Sequence, residues 1–285
     1  MKTIAIMNKK GGVGKTTTTL SVAAFLGQNG FSVLAIDMDP QGNLSQASGA
    51  ATAEAGTFEF LNGAPLENCV QNMPKYALVA ADARLSRAEK EFDQFGREHL
   101  LEKALDRVKG YDYVFLDTSP SMDVLALNAL TAADTVVICC QTDSFSLSGL
   151  DYMKNNIDLA QRYYNNNLSL AGILLTRYDT RAMALSPRMK AQFDERAGQL
   201  GMHVFSTFIR ENVDVKGSQM ERVDIFSYKA KCPAAEDYAA FTKELITGLE
   251  GGKTKWPKSS PKPSGGGSQR ISIPRSPRKR APRHR

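Results

Sequence analysis

No stretch of the sequence offers the roughly 18 to 20 consecutive apolar residues that a membrane-spanning helix needs, which excludes a membrane-spanning protein. Cysteine is scarce: Cys69, Cys139, Cys140 and Cys232 show no CxxC spacing, and two of them adjoin in the apolar run TVVICC. That pattern excludes a disulfide framework or a cysteine-held metal cluster and predicts buried, reduced thiols in a cytosolic protein. His99, His203 and His284 have no metal-ligand spacing. The N-terminal MKTIAIMNKK has too short an apolar part and no small-residue cleavage site, so it is expected to be a first buried strand, not a signal peptide. Acidic residues are absent from one region altogether. Lys253 to Arg285 holds 11 Lys and Arg and no Asp or Glu, so the net charge of +6 divides into a basic tail and a body with 25 basic against 30 acidic residues.

What is there fits one α/β domain over residues 1–252, followed by a Pro, Ser, Gly and Arg-rich tail over 253–285 that is expected to be disordered on its own. Short β-branched runs alternate with helical patterns, the signature of a doubly wound, mostly parallel sheet flanked by helices. The candidate strands are Thr3 to Asn8, Ser32 to Asp37, Tyr76 to Ala81, Tyr113 to Thr118, Thr135 to Cys140, Leu170 to Thr176 and Met202 to Thr207. Helices are expected in GKTTTTLSVAAFLGQNG, in REHLLEKALDRVKG, in SLSGLDYMKNNIDLAQRYY and in AAEDYAAFTKELITGLEGG.

The chemistry is carried by GGVGKT, which follows a strand and opens a helix. Backbone N–H groups can wrap phosphates there, at the helix N-terminus. Gly11, Gly12 and Gly14, with Val13 between them, allow the close backbone approach; Lys15 can bridge the β- and γ-phosphates, and Thr16 can place its hydroxyl on Mg²⁺. Acids to hold magnesium and position water are expected at strand ends beside the loop. LAIDMDPQGN supplies Asp37 and Asp39, with Asp39 expected to head a mobile loop because Pro40 and Gly42 end the strand, and YVFLDTSPS supplies Asp117.

Together, KKGGVGKTTTTLSVAAFL, VLAIDMDPQGNLSQ, YDYVFLDTSPS, LNALTAADTVVICCQTDSFSLSGL and GILLTRYDTR resemble the ParA/Soj family of deviant Walker ATPases, which partition plasmids, chromosomes or other large cargo. The chain is similar to the short form of that family, without an N-terminal helix-turn-helix. The resemblance implies a P-loop fold that uses ATP and Mg²⁺, a homodimer closed by ATP, non-specific DNA binding on the nucleoid, and a ParB-like partner that stimulates hydrolysis. By that resemblance Lys9 corresponds to the signature lysine that reaches the partner's phosphates, while Lys10 is expected to be merely solvated. Asp39 would activate the attacking water and is a possible Mg²⁺ contact through water; Asp117 would hold Mg²⁺ through water; Thr17 would contact the α-phosphate. Thr176, Arg177 and Arg210 fall where the family's adenine pocket lies.

The chain departs from the family pattern at four positions. Ser119 replaces the first of two usual prolines, Arg210 stands where a proline is usual, and Glu211 and Asp214 occupy places that are often basic. The basic tail is expected to assist or replace the body surface in holding DNA, the alternatives being a solubilising or partner-binding tail and one that binds anionic lipid. An alternative reading is a MinD-like membrane-associated ATPase that regulates division-site or pole placement, but the Pro- and Gly-interrupted tail does not form the amphipathic helix such a protein needs.

Overall fold

Apolar side chains on both faces of a strand require cover on both sides, and the two innermost runs show it: every residue of Val33–Met38 and of Tyr113–Thr118 is buried. The computed structural model describes residues 1–52, 54–183, 185–252, 254 and 256. Its strands are β1 Lys2–Met7, β2 Val33–Met38, β3 Val70–Asn72, β4 Ala77–Val79, β5 Tyr113–Thr118, β6 Thr135–Gln141 and β7 Ser169–Thr176. They form a single sheet in the order β3-β4-β2-β5-β1-β6-β7, parallel apart from the antiparallel edge pair of β3 with β4. Alternation along β1 sends Ile4 and Ile6 to one face and Ala5 and Met7 to the other. On the first face lie helix α1, Lys15–Gln28, and the closing helix Pro233–Leu249; helices Val124–Ala132, Ser144–Tyr163 and Leu185–Gln199 cover the second.

Helix α1 begins where Gly14, at φ 88°, turns the chain in the left-handed region, and it stops before Gly30, at φ 92°. It packs so closely that a Cβ on Gly27 would lie 1.6 Å from the carbonyl oxygen of Lys75, just ahead of β4. The closing helix starts at Pro233, whose fixed φ suits a first turn, with the Cys232 thiol accepting from the Ala235 amide. All four cysteines are free and buried, as their apolar settings predict.

Three expectations need correction. Met202 to Thr207 is not a strand. Only Val204 bridges to Ile173, because the amides of Ser206 and Thr207 are taken instead by the Glu244 carboxylate of the closing helix. The helix expected through Arg97 to Gly110 is a 3₁₀ turn at Arg97–His99 followed by Leu100–Leu105 alone. The third concerns the tail, most of which lies outside the described residues. Trp256, counted in it, is docked on the body, edge-on to Phe25 at 5.9 Å and to Phe31 at 5.3 Å between ring centroids. A solvated indole would leave that apolar area in water.

Candidate active site

The segments that follow β1, β2, β5 and β7 all leave the same, carboxyl-terminal edge of the sheet, the edge where open α/β sheets bind ligands. There they surround a cleft of about 700 Å³. Residues 11–17 line it, together with Asp39, Gln41 and Asn43, with Thr176 and Arg177, and with Arg210, Asn212, Lys216, Gln219 and the buried Tyr238.

The phosphate loop is fixed by its neighbours before any ligand arrives. Asn8 donates to the Cys139 carbonyl at 2.6 Å and accepts from the Lys10 amide at 3.0 Å. Gln141 donates to the Gly12 carbonyl at 2.8 Å, and Thr176 Oγ1 donates to the Val13 carbonyl at 2.7 Å. Gly12 and Gly14 hold φ of 72° and 88°, and nothing lies within 4 Å of a Cβ built on Gly11 or Gly12. The loop therefore turns open backbone toward the cleft, as a phosphate cradle requires.

Lys15 is 7% exposed, and its ammonium donates to the carbonyls of Asn8 at 3.1 Å and Lys10 at 3.2 Å. Burial lowers its pKa, while the charges of Asp117 and Asp39 pull the other way. An ammonium so desolvated gains from any anion brought to it.

Opposite stand two carboxylates side by side, since the β2–β5 register pairs Asp37 with Asp117. Both are fully buried. Asp37 accepts from the amide and hydroxyl of Ser45, at 2.8 and 2.6 Å, and burial still raises its pKa to about 6. Asp117 Oδ2 accepts from Thr16 Oγ1 at 2.7 Å, and its Oδ1 has no partner. Burial first, and the Asp37 charge second, push Asp117 well above the carboxylate range. The Thr16 hydroxyl and the orphaned Asp117 oxygen are a hard-oxygen donor set that fits magnesium, with the Thr16 proton turned to Asp117 and its lone pairs left for the cleft.

Asp39 corrects an expectation. It is 5% exposed and heads a tied turn, not a slack loop: Oδ1 accepts from the Gln41 amide at 2.9 Å, and its carbonyl accepts from the Gly42 amide at 2.9 Å. Lys10 corrects another. It is not merely solvated but ion-paired to Asp143 at 2.7 Å, at the N-cap of helix Ser144–Tyr163. Lys9 is exposed, does not line the cleft, and holds its ammonium 4.0 Å from the centroid of the Tyr152 ring. Thr17 lines the cleft and accepts from Gln219 Nε2 at 3.0 Å.

A family model described as an AAA domain matches residues 1–170. The chromosome-partitioning ATPase Soj of Treponema pallidum is 35% identical over 250 residues, covering 86% of this chain and 97% of the relative. The chain belongs to the ParA/Soj family of ATPases. The chromosome partitioning protein ParA of Caulobacter vibrioides is also 35% identical, over 87% of this chain and 94% of its own length. Among solved structures, cobyrinic acid a,c-diamide synthase from Mycobacterium smegmatis, with bound ATP analogue and magnesium, superimposes with a TM-score of 0.77 at 29% identity, over 89% of this chain and 97% of that one.

Against the family pattern, the serine that replaces a proline does not leave its turn loose. Ser119 Oγ lies 2.7 Å from Ser121 Oγ, which donates to Asp123 at 2.6 Å, and Asp123 caps helix Val124–Ala132. Arg210 lines the cleft, but its guanidinium is spent on Asp237 at 2.7 Å and on the Pro233 carbonyl at 3.2 Å. Arg177, held at φ 50°, pairs with Glu211 at 3.1 Å. Sequence reasoning missed Gln219, Tyr152 and the role of Asp37 as the buried neighbour of Asp117. Only Asp37 carried a signal, through the DMD spacing at the end of β2.

Proposed function

We propose that the chain is a partitioning or positioning ATPase whose active site is completed by a second copy of itself. The observation that carries this reading is the division of labour at the phosphate loop: Lys15 lies inside its own cleft, while Lys9, six residues earlier in the same loop, lies outside it. The ATP phosphates would sit on the amides of Gly11, Gly12, Val13 and Gly14, with Thr17 beside them and Lys15 between the terminal phosphates. Thr16 and Asp117 would hold Mg²⁺, directly and from behind. The ion's part is to neutralise charge on the β- and γ-phosphate oxygens.

Asp39, fixed by the Gln41 amide, would orient the attacking water and accept its proton. Lys9 would enter the partner's cleft and offset charge that builds up during transfer, as a trans-acting arginine does in other nucleotide hydrolases. The surface beside the cleft supports a docking face. Val213 and Met220, next in sequence to the cleft residues Asn212 and Gln219, are 79% and 84% exposed. Thr176, Arg177 and Arg210 remain proposed contacts for the adenine end.

Non-specific DNA is the proposed matrix, which would place the protein in the cytoplasm on the nucleoid, and a ParB-like partner or cargo adaptor would trigger hydrolysis and release. In the late segment of the body Arg177, Arg210 and Lys229 are occupied by Glu211, Asp237 and Asp214, while the exposed Lys216, Arg222 and Lys231 make no ion pair among the described residues. Residues 257–285 carry nine Lys and Arg and no acid. Deleting them is expected to weaken DNA binding and flatten its salt dependence, by roughly 0.9 in log–log slope for each phosphate that is no longer neutralised. An unchanged slope would remove the tail from DNA binding. No helix among the described residues is long and apolar enough to cross a membrane.

A further inference from the structure

Both lysines at the mouth of the phosphate loop are held by one helix. Asp143, the N-cap of Ser144–Tyr163, takes Lys10 into an ion pair of 2.7 Å. Two turns further on, Tyr152 packs against the core and receives the Lys9 ammonium over its ring, 4.0 Å from the centroid. Ring faces attract ammonium groups at that distance. The contact holds Lys9 to its own chain's helix, at the side of the loop.

The two contacts differ in what they allow. The Lys10 pair, with the Asn8 side chain on the Lys10 amide, fixes the backbone on the C-terminal side of Lys9. The Lys9 side chain is exposed and, among the described residues, tied only by the ring, so it can leave without disturbing the loop. We propose that Tyr152 is a positioning residue for Lys9: it rests the ammonium over its ring in the single chain, and dimerisation on nucleotide must draw the lysine off it. This rests on the reading that Lys9 acts in the partner's site. The ring then sets a threshold against dimerisation without nucleotide, because each protomer releases its lysine from the ring when the dimer closes.

Dimerisation is measured by sedimentation equilibrium with a non-hydrolysable ATP analogue and Mg²⁺ for wild type, Tyr152→Leu, Tyr152→Phe, Lys9→Ala and the Lys9→Ala/Tyr152→Leu double variant. Closing one dimer releases two lysines from their rings, so Tyr152→Leu is expected to tighten dimerisation by roughly 5- to 30-fold. Tyr152→Phe keeps the ring face and is expected to match wild type. In the Lys9→Ala background, Tyr152→Leu should change nothing, and monomer affinity for ADP reports an intact fold in every variant. Weaker dimerisation in Tyr152→Leu, an equal effect of Tyr152→Phe, or an undiminished effect in the Lys9→Ala background overturns the resting role. If Lys9→Ala alone dimerises as tightly as wild type, the trans-acting reading fails first, and the inference falls with it.

Discussion

Replacing Asp117 by Asn should separate stability from activity. In the folded chain Asp117 sits beside Asp37, with one oxygen on Thr16 and the other without a partner. Burial first, and the Asp37 charge second, hold the Asp117 pKa well above the carboxylate range, so its ionised form carries a cost that an uncharged side chain would not. The amide introduced by Asp117→Asn carries no charge, still accepts from Thr16, and can donate toward Asp37. Weakening the charge-assisted bond from Thr16 offsets part of the gain, since such bonds contribute about 1.5 to 3 kcal/mol. The expected net effect is that Asp117→Asn stabilises the nucleotide-free protein by roughly 1 kcal/mol at a pH where Asp117 is ionised. The sign follows from linkage: a carboxyl raised in the folded state costs nothing below its unfolded pKa, and its cost is complete above its folded one. The difference between variant and wild type should therefore close as pH falls through the raised Asp117 pKa toward about 4, the unfolded value. Urea unfolding across that range reads the stability, and Mg²⁺-dependent ATP hydrolysis should fall about 100-fold or more in the same variant. A variant destabilised where Asp117 is ionised, or one that hydrolyses ATP normally, would refute the account of the acid pair.

Other outcomes follow from the same geometry. Lys15→Ala should lose ATP binding, whereas Asp39→Ala should keep an ATP-bound dimer without hydrolysis; equilibrium dialysis and sedimentation with ATP distinguish them. Gly27→Ala sets a methyl group 1.6 Å from the Lys75 carbonyl and should destabilise the fold by about 3 kcal/mol or more in urea unfolding. Trp256→Ala should cost about 1 to 3 kcal/mol through its two edge-on ring contacts. Because Trp256 is the chain's single tryptophan, its fluorescence reports the same docking, and a solvent-exposed emission maximum in the native protein would contradict it.

The strands were legible because the sheet is covered on both faces. Tyr113 to Thr118 matches β5 residue for residue, and most of the other predicted strands differ from the observed ones by a residue or two at their ends. Met202 to Thr207 has the same composition and fails because a distant carboxylate, Glu244, takes its amides. The phosphate loop was legible because its glycines and lysine are demanded by local backbone geometry. Lys10 and Tyr152 were not, since their roles depend on partners from other elements: Asp143 at a helix cap, and a ring that meets Lys9 only after β1 and the helix following β6 have packed.

The central claim is that each active site takes Lys15 and Asp39 from one chain and Lys9 from the other. Mixing Lys9→Ala with Asp39→Ala protein tests it, because both variants keep Lys15 and each lacks one different group. A mixed dimer would hold one site with every group present and one with neither Lys9 nor Asp39. The account predicts that each variant alone is inactive and that, at protein and ATP concentrations high enough to drive every pairing to dimer, an equal mixture recovers roughly a quarter of the wild-type ATPase rate, half the dimers being mixed and half of their sites complete. If Lys9 served its own chain's nucleotide, no dimer in the mixture would contain a complete site, and the absence of any recovery would contradict the account.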